Sequence, residues 1–409
     1  MNGQGKPPIV VYFNGTFVNL ENGAHTRLSD LLKFLDEHFD NVTLYSYANH
    51  GDCPWTEHAI KRFKLAFPRL QLCLEEYSRP LRWFTRLKNL LLSFFPQYAH
   101  SILNYRLPHA GKEYRRLQSQ IPDATWIINY ADGVTQLNGL PKAGKIIVET
   151  HDSKCVLASK MANGSGSPTS LRNLLKLRNE IACLNTVSGL VSISPPEKAI
   201  FQLLTRSSNK FYIPAYFKFE KELIETYSLE SEFRFDLSFV ASDSVFNAQG
   251  FQDFVESNAS WLYKYRICLV GLICGNEQVV QIAKKYKNIS LLGYVPDLSN
   301  IYRASKTVIS PTDGTGLKIK VVDALLHGKP VFGSAHTRDG LPSGYEGCVF
   351  PIDRGKIESI LNISENRRRA ETAAFRYVQT IDRVNEIDSF LGYLRSIGTD
   401  GCRVVSAAP

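Results

Sequence analysis

A chain of 409 residues, 44% of them hydrophobic, has room for two or three domains of roughly 100–200 residues and enough apolar matter for two large cores. No apolar run nears the roughly 18–20 residues that cross a bilayer, and the opening MNGQGKPPIVVYFNG lacks the charged-then-apolar layout of a secretory signal, so a cytoplasmic protein is expected. The net charge of +9 favours acidic partners (phosphate groups, anionic lipid, nucleic acid) without choosing among them, and eight scattered cysteines with no CxxC pair suggest neither zinc nor a redox pair.

Ile9 to Phe13 is a continuous apolar run and reads as a first parallel strand. A loop containing Gly23 and Ala24 follows, then a helix marked by Leu28, Leu31, Leu32 and Leu35, then a strand from Val42 to Tyr47. Residues 79–116 interleave Leu, Phe and Trp with Arg and Lys and are nearly free of acids. Two readings fit: a basic amphipathic segment in an anionic membrane interface, or a core-facing helix with a solvated basic side. Thr125 to Tyr130 and Lys145 to Thr150 are further buried strands, the second ending in His151-Asp152. A Gly- and Ser-rich loop covers 162–170, and Leu190 to Ser194 is expected to close the first sheet. Phe211 to Pro214 then reads as a linker into a second domain.

Phe235 to Val240 opens the second sheet, with Asn247 in the following turn and Gly250 ahead of a helix. Tyr265 to Gly271 and Asn288 to Leu292 are strands; the turn Gly293-Tyr294-Val295 leads to a helix from Asp297. Thr307 to Ser310 is β-branched and strand-like, and Pro311, Asp313, Gly314 and Gly316 punctuate a turn. Ile319, Val322, Leu325 and Leu326 recur at helical spacing, Gly328 suits a helix end, and Pro330 to Phe332 begins another strand. From Glu358 the chain reads as helical.

The turn before Ile319 points free N–H groups and the positive end of a helix at one place, which suits an anion. Lys318 and Lys320 stand in that first turn, where the dipole opposes them, so a negative group is expected beside them. Asp323 lies one turn on, where a carboxylate suits a ribose diol. These residues describe a pocket for a nucleoside diphosphate.

The string GTGLKIKVVDALLHGKPVFGS resembles the donor-site signature of family 4 glycosyltransferases of the GT-B fold. The resemblance runs along nearly the whole chain, strongly in the second half and more weakly in the first. It implies an α/β fold of two Rossmann-like domains facing across a cleft: an acceptor domain over 1–210, a donor domain over 211–375, and a helix within 376–409 crossing back to the first domain. It also implies a retaining, hexosyltransferase-like enzyme that moves a sugar from a nucleotide-diphosphate sugar to a glycan or lipid-linked acceptor, in polysaccharide synthesis at the inner face of a membrane. By resemblance, His151 lines the donor-sugar pocket and Gly23 and Ala24 lie under the donor phosphates. Gly293, Tyr294 and Val295 hold the base, while Asn247, Gly314, Thr315 and Gly316 belong to the donor loops.

Many family members carry an arginine and a lysine after the 235–240 strand; this chain has neither, which leaves Lys318 and Lys320 to neutralise charge. The family's two glutamates, separated by seven intervening residues, map to Thr315 and Asp323, so the first is a departure. No Asp-x-Asp pair occurs, so neither a metal nor any other cofactor is expected. A catalytically silent scaffold and a nucleotide-sugar epimerase or hydrolase are the rival readings. No nucleic-acid-binding module is evident, and no nucleic-acid partner is expected.

Overall fold

The computed structural model describes residues 6–51, 53–76, 91, 111–136, 145–151, 171–207, 209–217, 233–313 and 316–397. Asp152, the 162–170 loop, Gly314, Thr315 and most of the basic 79–116 stretch therefore lie outside the described residues.

Among the described residues, seven strands form the first sheet: β1 (Ile9–Tyr12), β2 (Val42–Tyr47), β3 (Gln71–Glu75), β4 (Thr125–Asn129), β5 (Ile146–Thr150), β6 (Gly189–Ser192) and β7 (Asn209–Tyr212). They are ordered β3-β2-β1-β4-β5-β6-β7. Six form the second: β8 (Phe235–Val240), β9 (Ile267–Val270), β10 (Ile289–Leu291), β11 (Ser305–Ser310), β12 (Val331–Gly333) and β13 (Val349–Pro351), ordered β10-β9-β8-β11-β12-β13. Every pairing is parallel. Parallel strands covered on both faces need apolar runs rather than alternation. In β1, Ile9 and Val11 enter one core and Val10 and Tyr12 the other. Both sheets reverse direction of growth beside their first strand, between β1 and β4 and between β8 and β11. Doubly wound sheets bind ligands at that place, beyond the carboxyl ends of the strands.

Two local readings are corrected. The first sheet does not close at Leu190–Ser194, because Asn209–Tyr212 adds an edge strand beside β6. Half-exposed Asn209 and Lys210 precede buried Phe211 and Tyr212, so the segment lacks a clear strand period. What seats it is the distant helix Ile387–Ile397, whose Phe390 ring lies 5.4 Å from Phe211. The helix after β8 also begins earlier than Gly250: it spans Val245–Leu262, capped by the Ser244 side chain on the Asn247 N–H. Gly250 sits inside it because the Pro311 carbonyl packs there; a Cβ would lie 2.0 Å from that oxygen.

The connection Ile213–Phe217 is pinned to the first domain. The Arg27 guanidinium donates to the Pro214 carbonyl and stacks 4.2 Å over the Phe217 ring, and the Phe217 N–H donates to Asp30. Arg27 is fully buried and ion-paired to Glu149 at 2.6 Å, tying the helix Gly23–His38 to β5. At the other end of the chain, Ser364–Val384 packs on the second domain through Ala374, Tyr377, Val378 and Ile381. Ile387–Ile397 packs on the first through Phe390, Leu391, Leu394 and Ile397. Between them, Glu386 receives the Lys198 ammonium at 2.6 Å and the Tyr212 N–H. Among the described residues no helix is long and apolar enough to cross a membrane, and Cys53, Cys73, Cys183, Cys268, Cys274 and Cys348 are free thiols.

Candidate active site

The carboxyl ends of both sheets open onto one cavity of about 610 Å³ between the domains. Contacts across the cleft help enclose it: the Tyr294 hydroxyl donates to the Asn19 carbonyl at 2.9 Å, and Gly23 lies so near Ile319 that a Cβ there would be 3.3 Å from Cδ1. The helices Gly23–His38, Val245–Leu262 and Ile319–Leu326 all begin at this cavity. Asn22 caps the first and Ser244 the second, each through a side-chain oxygen. The third has Lys318 at its N-cap position and no side-chain cap. The Lys318 carbonyl accepts the Val321 N–H at 2.8 Å, and the helix start faces the cavity as an anion would require.

Lys320, one residue into that helix, turns inward rather than to solvent. Its ammonium donates to Asn247 Oδ1 at 2.7 Å and Thr312 Oγ1 at 2.8 Å and lies 4.6 Å from the Phe239 ring centroid. All three partners are neutral. Burial, and then the neighbouring Lys318 charge, hold Lys320 well below the ordinary lysine range. Asn247 is itself fixed, donating to the Ser242 carbonyl at 2.9 Å. Asp323, one turn further, accepts the Tyr216 hydroxyl on Oδ1; burial pushes its carboxyl up to about 6, and the Tyr216 bond opposes that. Behind it, His327 is held below the usual imidazole range by burial, with Nδ1 2.8 Å from the Asp323 carbonyl.

On the first-domain wall, His151 follows β5, with Nε2 2.9 Å from Asn129 Oδ1 and 3.7 Å from Glu149 Oε2. Burial pushes the Glu149 carboxyl up, against the pull of Arg27.

The cavity thus gathers Gly23, Ala24 and His151 from one domain with Asn247, Lys318, Lys320 and Asp323 from the other. Tyr294 and Val295 line its rim, while Gly293 stands behind them with φ 71° and accepts the Gly271 N–H at 2.7 Å. Gly316, at φ 68°, shapes the turn from outside the lining. Sequence reasoning missed Tyr130, Tyr216 and Thr312. Thr312 was legible as a residue of the turn. Nothing local marks Tyr216, which earns its place through the path of the interdomain connection.

Residues 234–365 match the family model described as glycosyl transferases group 1. No curated relative matches the chain. Among solved structures, S. aureus TarM shares 11% identity at a TM-score of 0.64, covering 97% of this chain and 100% of that one. Anabaena Alr3699/HepE in complex with UDP shares 13% at 0.59, covering 96% and 100%. Sucrose-phosphate synthase from Thermosynechococcus elongatus shares 13% at 0.60, covering 97% and 99%. With its two doubly wound sheets, the chain has the GT-B fold, and residues 234–365 of its second domain are similar to the glycosyl transferases group 1.

Proposed function

We propose that this protein transfers a sugar from a nucleoside diphosphate sugar to a glycan or lipid-linked acceptor, with retention of configuration and without a bridging metal. The observation that carries this reading is the inward-turned, part-buried Lys320 at the start of Ile319–Leu326, which has no side-chain cap, one turn from Asp323. An anion at that start meets the positive end of the helix and two lysine side chains, and a ribose reaching one turn along meets a carboxylate. As the glycosidic bond breaks, charge accumulates on the leaving diphosphate. Donors already in place stabilise it without reorganising. Solved structures of similar fold, Anabaena Alr3699/HepE and S. aureus TarM, are described as UDP complexes, which makes UDP the first probe.

Calorimetry with UDP, followed by a screen of UDP-sugars for turnover, tests the reading. Binding of UDP in the micromolar range with release of UDP from one donor is expected. No affinity for UDP, GDP or ADP would overturn the nucleotide site; binding without turnover of any donor would leave a silent scaffold. Retention is tested by NMR of the product's anomeric centre, and metal independence by activity in EDTA. The basic composition of 79–116 supports docking on an anionic surface that carries the acceptor. Equal, negligible flotation with neutral and anionic vesicles would remove that part.

A further inference from the structure

Among the described residues, two that are not glycine hold a left-handed backbone: Leu20 at φ 52° and Tyr130 at φ 67°. Both line the cavity. This backbone region disfavours any residue with a Cβ, and such outliers persist where the surroundings over-determine them.

Tyr130 is the whole junction between β4, ending at Asn129, and the helix Ala131–Gln136. Its N–H donates to the Glu149 carbonyl at 2.8 Å, the last rung of the β4–β5 ladder, and its carbonyl accepts the Gly133 N–H at 3.0 Å. Glycine would make the same turn without strain. What tyrosine adds is a ring, and that ring lies against His151, with centroids 4.4 Å apart and planes 30° from parallel. The neighbouring Asn129 meets His151 Nε2 at 2.9 Å, and Glu149 stands 3.7 Å from the same nitrogen. The imidazole is thus held on a face by one residue and at a nitrogen by the residue before it. Both come from the end of one strand, and the left-handed turn is what lets consecutive residues reach the same ring.

We propose that Tyr130 is a positioning residue for His151: the strained junction lays its ring on the imidazole and fixes the imidazole plane on the first-domain wall of the cavity. The consequence for turnover rests on the donor-site reading above; the consequence for His151 does not.

Tyr130→Phe and Tyr130→Gly test it in the full chain. The His151 ring signals are assigned by their loss in His151→Gln and followed by NMR through a pH titration, with no substrate present. The His151 titration should shift in Tyr130→Gly and stay at the wild-type position in Tyr130→Phe. With a donor found by the screen, Tyr130→Gly should lower kcat by about tenfold to a hundredfold while the donor KM and UDP affinity hold. Tyr130→Phe should keep wild-type kcat. A wild-type His151 titration in Tyr130→Gly would overturn the proposal, as would a Phe variant no better than Gly, which would place the role on the hydroxyl. Should Tyr130→Gly fail to fold, Tyr130→Asn replaces it, since asparagine tolerates this backbone. If wild-type protein binds no nucleotide, the donor reading fails, and the His151 titration still decides the positioning.

Discussion

Asp323 and Lys320 are both part-buried ionisable groups, and removal from water acts on them in opposite directions. Asp323 titrates at about 6 in the folded protein against roughly 3.9 in an unfolded chain. Between those values the native state holds the proton and the unfolded state does not, so this group's contribution to stability falls as pH rises from about 4 to 6. Only the ionised form accepts hydrogens from both ribose hydroxyls. Affinity for a nucleotide sugar, whose diphosphate does not titrate in this range, should therefore weaken as pH drops below 6. Calorimetry between pH 5 and 7.5 should show the fall in wild type and none in Asp323→Asn; a flat wild-type profile would separate Asp323 from the ribose. Lys320 sits among neutral partners beside the Lys318 charge, where its ionised form is costly without an anion. Lys320→Met should raise Tm in the free protein and lower kcat by roughly a hundredfold, with a smaller change in donor Kd. Unchanged kcat would return Lys320 to a packing role.

At the scale of elements, the helix Val245–Leu262 depends on a glycine for a reason its own sequence does not display. In an exposed helix Gly250→Ala would gain up to about 1 kcal/mol. Here the new methyl meets the Pro311 carbonyl at 2.0 Å, and a backbone oxygen yields little. The substitution should cost about 1–3 kcal/mol. It should also weaken UDP binding, because Pro311 leads into Thr312, which holds Lys320. Denaturant midpoints and calorimetry on one variant check both effects. The same glycine marks a limit of legibility. Read alone it breaks a helix, whereas Ser244 three residues before Asn247 was the true start signal. The strands β1, β4, β5 and β8 were readable because burial on both faces forces apolar runs. The edge strand β7 was not, since its partner for packing is a helix near residue 390.

For the whole molecule, the second-domain wall of the cleft was legible in one stretch of sequence, because Lys318, Lys320 and Asp323 are contiguous with the turn before them. The parts contributed by separate elements were not. Tyr216 meets Asp323 only because the connection crosses the cleft, and Arg27 meets Glu149 only because β5 lies under the first helix. The helix Ile387–Ile397 carries a further consequence, for the order of folding. Ribosomal synthesis delivers the first sheet early, yet Phe390 and Leu394 belong to the same core as Ile9 and Leu28. The domain made first is thus completed last, while the second domain, contiguous from β8 through Ser364–Val384, can close before it. A chain ended after Glu386 should keep a protease-resistant second domain and be cut within the first. Phe390→Ala should reproduce much of that effect, at about 3–5 kcal/mol for a buried ring. Limited proteolysis of the truncated chain, with fragments identified by mass, reads out the order: protection of both domains would mean that the first matures without waiting for its final helix.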